Sequence, residues 1–180
     1  VNGADSGHVR VYQYSNNDWT QMGEDIDGEA VSDESGYGKG LSLSSDGTIV
    51  AIGAPYNDGN GNNSGHVRVY QWRSVGVYGD IVENATQIHK IRAEDGAAMD
   101  YFAFDSVAIS GNYAIVGAYR DGDKGALSGS AYIFNITTGT QLHKLTAEDG
   151  NASDYFGHGV GIDGNYAIVG ADGDDDSGPS

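Results

Sequence analysis

One short unit recurs along this chain, and its recurrence limits the fold more than any other feature. Ser6-Gly7-His8-Val9-Arg10-Val11-Tyr12-Gln13 returns as Ser64-Gly65-His66-Val67-Arg68-Val69-Tyr70-Gln71 and, more loosely, as Ser128-Gly129-Ser130-Ala131-Tyr132-Ile133-Phe134-Asn135. A further copy opens at Ser177-Gly178. A second series keeps step with the first: Ile49-Val50-Ala51-Ile52-Gly53-Ala54, Tyr113-Ala114-Ile115-Val116-Gly117-Ala118 and Tyr166-Ala167-Ile168-Val169-Gly170-Ala171. Repeats of this spacing build solenoids, propellers or arrays, because each unit needs a neighbour to cover its apolar face.

Each unit reads as four strands. Gly38–Leu43, Phe104–Ile109 and Gly157–Ile162 turn through Ser44-Ser45-Asp46-Gly47, Ser110-Gly111-Asn112 and Asp163-Gly164-Asn165 into the Gly-Ala strands. Asp-Gly and Gly-Asn between apolar runs are hairpin signals, since both residues tolerate positive φ. The Gly-Ala strands are apolar on both faces, which predicts that they lie between neighbouring sheets. The Gly-His-Val-Arg-Val-Tyr strand alternates, which predicts one wetter face. Trp19–Gly23, Thr86–Ala93 and Thr140–Ala147 supply an outer strand. With 29 glycines and 2 prolines, the turns are tight rather than disordered. The reading is all-β, with four-stranded antiparallel sheets repeated radially as β-propeller blades; a β-helix has shorter coils and lacks these hairpins.

The charge narrows the partners. Nine basic residues stand against 26 acidic ones, a net charge of −17, which repels nucleic-acid phosphate and anionic membrane surfaces. No apolar run approaches the roughly 20 residues of a membrane-spanning helix. The chain has no cysteine, so disulfides, thiolate metal sites and cysteine nucleophiles are excluded. Such acidity favours cations, or a salty exterior that screens the repulsion; calcium binding and simple solvation both fit it, and solvation is the commoner cause.

Tyr37-Gly38 and Phe156-Gly157, each followed by a Gly-Ala strand end and once by Gly53-Ala54-Pro55, resemble the phenylalanyl-glycyl/glycyl-alanyl-prolyl (FG-GAP) repeat. That repeat builds the propellers of integrin α-subunits and occurs in many secreted microbial and algal proteins. The third unit, Ala147-Glu148-Asp149-Gly150 through Ala171, is the nearest match. The second departs from it, with Phe102 followed by Ala103 where a glycine would permit close backbone approach. The resemblance implies a secreted or cell-surface module. Its strand order implies a half-blade at residues 7–23 (third and fourth strands), blades at 38–93 and 104–147, and a half-blade at 157–171 (first and second strands). The two halves are complementary. Three arrangements would complete them: further blades of a longer chain, a ring closed by two copies, or copies added head to tail.

The loops after the Gly-Ala strands are the candidate metal sites. They carry Asp58 and Asn60, Asp121 and Asp123, and Asp172, Asp174 and Asp176, separated by glycines. Alternating hard oxygens around a sharp bend suit calcium, and they equally suit a solvated turn. The integrin-type calcium loop between a blade's first and second strands has no counterpart, because that connection is a short hairpin here. A second recurrent set, Asp27-Gly28 with Asp33, Asp95-Gly96 with Asp100 and Asp149-Gly150 with Asp154, is read as a turn that fixes one blade against the next. The histidines mark strand positions, His8 with His66 and His89 with His143, and nothing in the sequence gathers the three or four ligands that zinc needs. No nucleophile or phosphate-loop motif occurs. Acidic pairs are too common to single out a glycosidase site. Four glycosylation sequons, at Asn62, Asn84, Asn135 and Asn151, fall in or beside expected loops and matter if the source is a secreting eukaryote. The aromatic stripe Tyr12, Tyr14, Tyr70, Trp72, Tyr132 and Phe134 is read as packing between blades. The function expected is adhesion or structural assembly outside the cell, without catalysis, possessing a protein or glycan ligand; a carbohydrate-binding or carbohydrate-active propeller is the alternative.

Overall fold

The computed structural model describes residues 3–77 and 80–175, with the backbone alone for 73–77 and 80–84. Its twelve strands are β1 (His8–Ser15), β2 (Asp18–Asp27), β3 (Leu41–Leu43), β4 (Ile49–Ala54), β5 (His66–Val77), β6 (Asp80–Ile91), β7 (Val107–Ser110), β8 (Tyr113–Ala118), β9 (Ser130–Asn135), β10 (Thr140–Leu145), β11 (Gly159–Asp163) and β12 (Tyr166–Gly170). All pairing within the sheets is antiparallel between chain neighbours. It gives β1-β2, then β3-β4-β5-β6, then β7-β8-β9-β10, then β11-β12. This is the blade architecture the repeats predict: two sheets of four strands between two sheets of two.

The Gly-Ala strands β4 and β8 are buried on both faces because each is sandwiched between neighbouring sheets. On β4, Val50 and Ile52 pack with Val9, Val11, Ile26, Tyr70 and Trp72, between the first and second sheets. Ala51 faces the other way, into the core shared with the third sheet, where Phe102, Tyr132 and Phe134 meet edge-on at centroid distances of 5.7 and 5.9 Å. Four of the six stripe aromatics are buried between sheets as expected: Tyr70 and Trp72 in the first of these cores, Tyr132 and Phe134 in the second. Tyr12 and Tyr14, on β1, are exposed.

Three expectations are corrected. First, β5 is buried on both faces over residues 66–70, not on one, so His66 and Arg68 lie inside the stack. Alternation in sequence shows which residues share a face, but not whether a second blade covers that face. Second, the hairpin of β5 and β6 runs out to Val77 and Asp80, well beyond the expected strand ends, and it carries Asn84 into a strand instead of a loop. Third, the counterpart of Phe156-Gly157 in the first full blade is Ser35-Gly36, not Tyr37-Gly38. Hydrogen bonds fix this equivalence. Ser35 N donates to Ser6 O, Phe102 N to Ser64 O and Phe156 N to Ser128 O, while Gly36, Ala103 and Gly157 donate to the glycine carbonyls of Gly53, Gly117 and Gly170.

These bonds belong to a clasp repeated at every junction. Each linker between blades alternates in and out of the left-handed region, with positive φ at Ser32, Glu34 and Gly36, at Met99, Tyr101 and Ala103, and at Ser153, Tyr155 and Gly157. Ala103 therefore holds a φ of 68° where its counterparts are glycine. The linker's N–H groups satisfy the loop between the third-strand start and second-strand end of the blade before it. The recurrent acids close its turn: Asp33 accepts from Ala30 N, Asp100 from Ala97 N and Asp154 from Asn151 N, at 3.0, 2.6 and 2.6 Å. They serve blade-to-blade geometry.

Candidate cation-binding clusters at the blade junctions

The first two junctions place the same strand positions around the same space. Strand register makes His66 the counterpart of Ser130, Arg68 of Tyr132 and Lys90 of Lys144. Hydrogen bonding in the loop before the third strand makes Asn57 the counterpart of Asp121, since Gly65 N and Gly129 N donate to their carbonyls. The two junctions fill this common space with different chemistry.

At the junction of the second and third sheets, Asp95, Asp121 and Asp123 bring carboxylate oxygens within 4.8 Å of one another. Lys144, on β10, sits among them, with Nζ at 2.6 Å from Asp95, 3.0 Å from Asp121 and 2.5 Å from Asp123. Asp121 is buried and also accepts from the Tyr132 hydroxyl at 2.8 Å. Burial pulls the Lys144 amine down, but the carboxylates of Asp123, Asp95 and Asp121 outweigh it and hold the ammonium well above its ordinary range. Burial, reinforced by the charge of Asp121, pushes the neighbouring Asp100 carboxyl up. Two expected calcium ligands, Asp121 and Asp123, are thus brought together, and the lysine stands where a cation would.

The other expected ligands stay apart. Asp58 accepts from Asn63 N, the Asn60 N–H goes to Ser64 Oγ, and Asp172 pairs with His158 Nδ1 at 3.0 Å. Asp174 is exposed, and Asp176 lies outside the described residues. The hairpin between a blade's first and second strands is closed by side chains: Asp46 accepts from the Ser44 hydroxyl and from both the N–H and hydroxyl of Thr48, bonds that pull its carboxyl down to about 2. Of the sequon residues, Asn62 and Asn151 are exposed, while Asn135 Oδ1 accepts from Thr137 N and Thr138 N in the turn after β9.

The junction of the first and second sheets holds a set that sequence reasoning missed. Glu29, Asp33 and His66 offer ligand atoms within 4.8 Å of one another. Asp33 and His66 are buried, and His66 Nε2 is 3.9 Å from Glu29 Oε2. Neither ring nitrogen of His66 has a hydrogen-bond partner, and burial pulls the imidazole down to about 3. Among the described residues Lys90 pairs with Glu29, at 2.5 Å, and Arg68 is turned to the Tyr70 hydroxyl (2.7 Å) and Ser35 Oγ (3.0 Å).

A file of half-buried aromatic rings also crosses the junctions. Tyr37, Tyr56, Phe104, Tyr101, Tyr119 and Tyr155 touch in sequence at centroid distances of 5.0–6.2 Å, with Arg120 stacked 4.7 Å over Tyr101 and His158 4.9 Å from Tyr119. Three linkers and two Gly-Ala strand ends contribute these rings, which sequence spacing alone does not unite.

The model of the FG-GAP repeat matches residues 85–134 and 140–180, about half of the chain. This chain belongs to the FG-GAP repeat family. No curated protein matches it. Within this FG-GAP repeat chain, both matched segments run from an outer strand through a linker clasp into the next blade, so the family pattern covers the elements that join one sheet to another. Among the described residues, no helix is long and apolar enough to cross a membrane.

Proposed function

We propose that this chain is a non-catalytic propeller segment of a secreted or cell-surface protein, used for adhesion or structural assembly. The observation that carries the reading is the pair of free, complementary strand edges. β12 occupies the position of a blade's second strand and β1 that of a third, and among the described residues each lacks the neighbour that β4 and β5 give one another. Tyr166 and Ile168, on β12, are 82% and 74% exposed, whereas at the matching places on β8 Tyr113 is 38% exposed and Ile115 is fully buried. Carrying over the register of β8 on β9 sets Tyr166 opposite Gln13, Ile168 opposite Val11 and Gly170 opposite Val9. A row of unpaired backbone groups is a template for another strand. The strand that completes it comes from further blades or from another copy, and calcium at the loops 57–63 and 172–175 would stiffen the assembly.

Cysteines at positions 13 and 166 distinguish the sources. Directly opposed residues have Cα atoms about 4.5–5.5 Å apart, within disulfide reach. The Gln13→Cys/Tyr166→Cys chain is expected to form disulfide-linked oligomers that the single variants do not form. A monodisperse monomer with both thiols free would rule out self-association and leave the edges to further blades.

A second reading, a carbohydrate-binding face, is favoured by the aromatic file. Rings presented flat or edge-on beside Asp105, His158 and Asp172 suit sugar stacking with hydrogen bonds to hydroxyls. Retention on immobilised polysaccharides, weakened by Tyr119→Ala while the melting transition is kept, would support it.

A further inference from the structure

We infer that Glu29, Asp33 and His66 form a binding site for a divalent transition ion of the zinc class at the junction of the first two sheets. The donors come from three places that the fold fixes independently. Glu29 and Asp33 flank the linker turn, and Asp33 is held there by Ala30 N and the Asn57 amide. His66 opens β5, paired through the backbone with Ala54. One imidazole and two carboxylates are a mixed nitrogen–oxygen set, which suits zinc; calcium takes six to eight oxygens. With bonds of 2.0–2.1 Å, ligand atoms around tetrahedral zinc stand about 3.3 Å apart. The His66–Glu29 separation of 3.9 Å therefore has to close only slightly, and Glu29, about one-third exposed, is free to move.

The argument rests on His66. A fully buried imidazole with both nitrogens unpaired is costly, since burying a polar group is tolerated when it is bonded. The next junction is built differently: there Lys144 touches three carboxylates, and Ser130, with one unpartnered hydroxyl rather than two ring nitrogens, stands in place of the histidine. Here Lys90 touches Glu29 alone and leaves the ring without a partner. Asp33 uses one hydrogen bond on each oxygen, and a carboxylate has lone pairs for about four, so it can bond the ion without leaving the turn. The opposing charges are Lys90, Arg68 and Arg92, all near His66. Arg68 is committed to Tyr70 and Ser35, so Lys90 is the direct competitor, and its partly exposed head can swing into water when the ion binds.

Calorimetric titration of the chelator-treated chain with zinc chloride tests this, with calcium chloride as the second arm. The expected result is uptake of one zinc ion that calcium does not displace. His66→Ser installs the side chain that the equivalent position of the next blade already carries, and should weaken binding by about tenfold or more. Lys90→Gln removes the competitor and should tighten it, an effect in the opposite sense that a merely structural lysine would not give. Zinc binding unchanged in His66→Ser would overturn the site. So would absence of binding in both the parent chain and Lys90→Gln, the result expected if a water molecule is all that partners the ring.

Discussion

Lys144→Met should lower stability by about 3 kcal/mol at neutral pH, a cost typical of removing one partner from a buried ion pair. The lysine side chain is 18% exposed and is the cation shared by Asp95, Asp121 and Asp123. Methionine keeps the stem packed against Tyr132 but leaves Asp121, 5% exposed, facing Asp100 with the Tyr132 hydroxyl and the Asp123 N–H as donors and no cation beside it. The Asp100 carboxyl, already pushed up by burial and by the charge of Asp121, would then lose the opposing pull of Lys144 and titrate higher still. A raised carboxyl contributes stability below the unfolded pKa and loses it as pH rises through the folded one, so the deficit should grow from about pH 4 toward neutrality. Chemical denaturation of both chains at pH 4 and pH 7 measures this. Calcium chloride should raise the melting temperature of the variant more than that of the parent, because three carboxylates without their lysine are a hard-oxygen site. Equal stability of the two chains at pH 7 would show that Lys144 is not the cation this cluster depends on.

What the sequence revealed follows from what local patterns can encode. Asp46-Gly47, Gly111-Asn112 and Gly164-Asn165 announce hairpins through their own φ preferences, so the first two strands of each blade were legible. Contacts between blades were less so. Tyr37-Gly38 looks like the family dipeptide, but counted from the register-equivalent Ile26, Ile91 and Leu145 the first linker reaches its turn acid, Asp33, two residues sooner than the others reach Asp100 and Asp154, and only the clasp hydrogen bonds show that Ser35-Gly36 takes the place. The burial of His66 and Arg68 was hidden because alternation implied a wet face that the preceding sheet covers. The metal candidates divided along the same line. Asp121 and Asp123 are near in sequence and share a loop, whereas Lys144 and Asp95 reach them from other elements, as His66 reaches Glu29 and Asp33.

Gly129→Ala should be the most disruptive single-methyl change at the clasps. Gly129 follows Ser128 in the motif that recurs along the chain, and its φ of +83° already disfavours a side chain. A Cβ there would lie 2.0 Å from the carbonyl oxygen of Phe156 and 2.5 Å from its nitrogen. Those are backbone atoms of the linker, held by the Phe156 N–H bond to Ser128 O and by Gly157 N to Gly170 O, so they cannot yield without opening the junction. Gly65 is in the same situation against Phe102, which explains why Ser-Gly precedes β5 and β9 alike. The expected loss is about 3 kcal/mol, seen as a fall in melting temperature of roughly 10 °C for a chain of this size. Gly111→Ala provides the control. Its φ is +55°, so it carries the conformational cost, but its Cβ would meet nothing within 4 Å, and about 1 kcal/mol is expected. The difference between the two variants isolates the close approach of loop and linker. If both lose stability equally, backbone conformation alone accounts for the motif glycine, and contact across the junction does not.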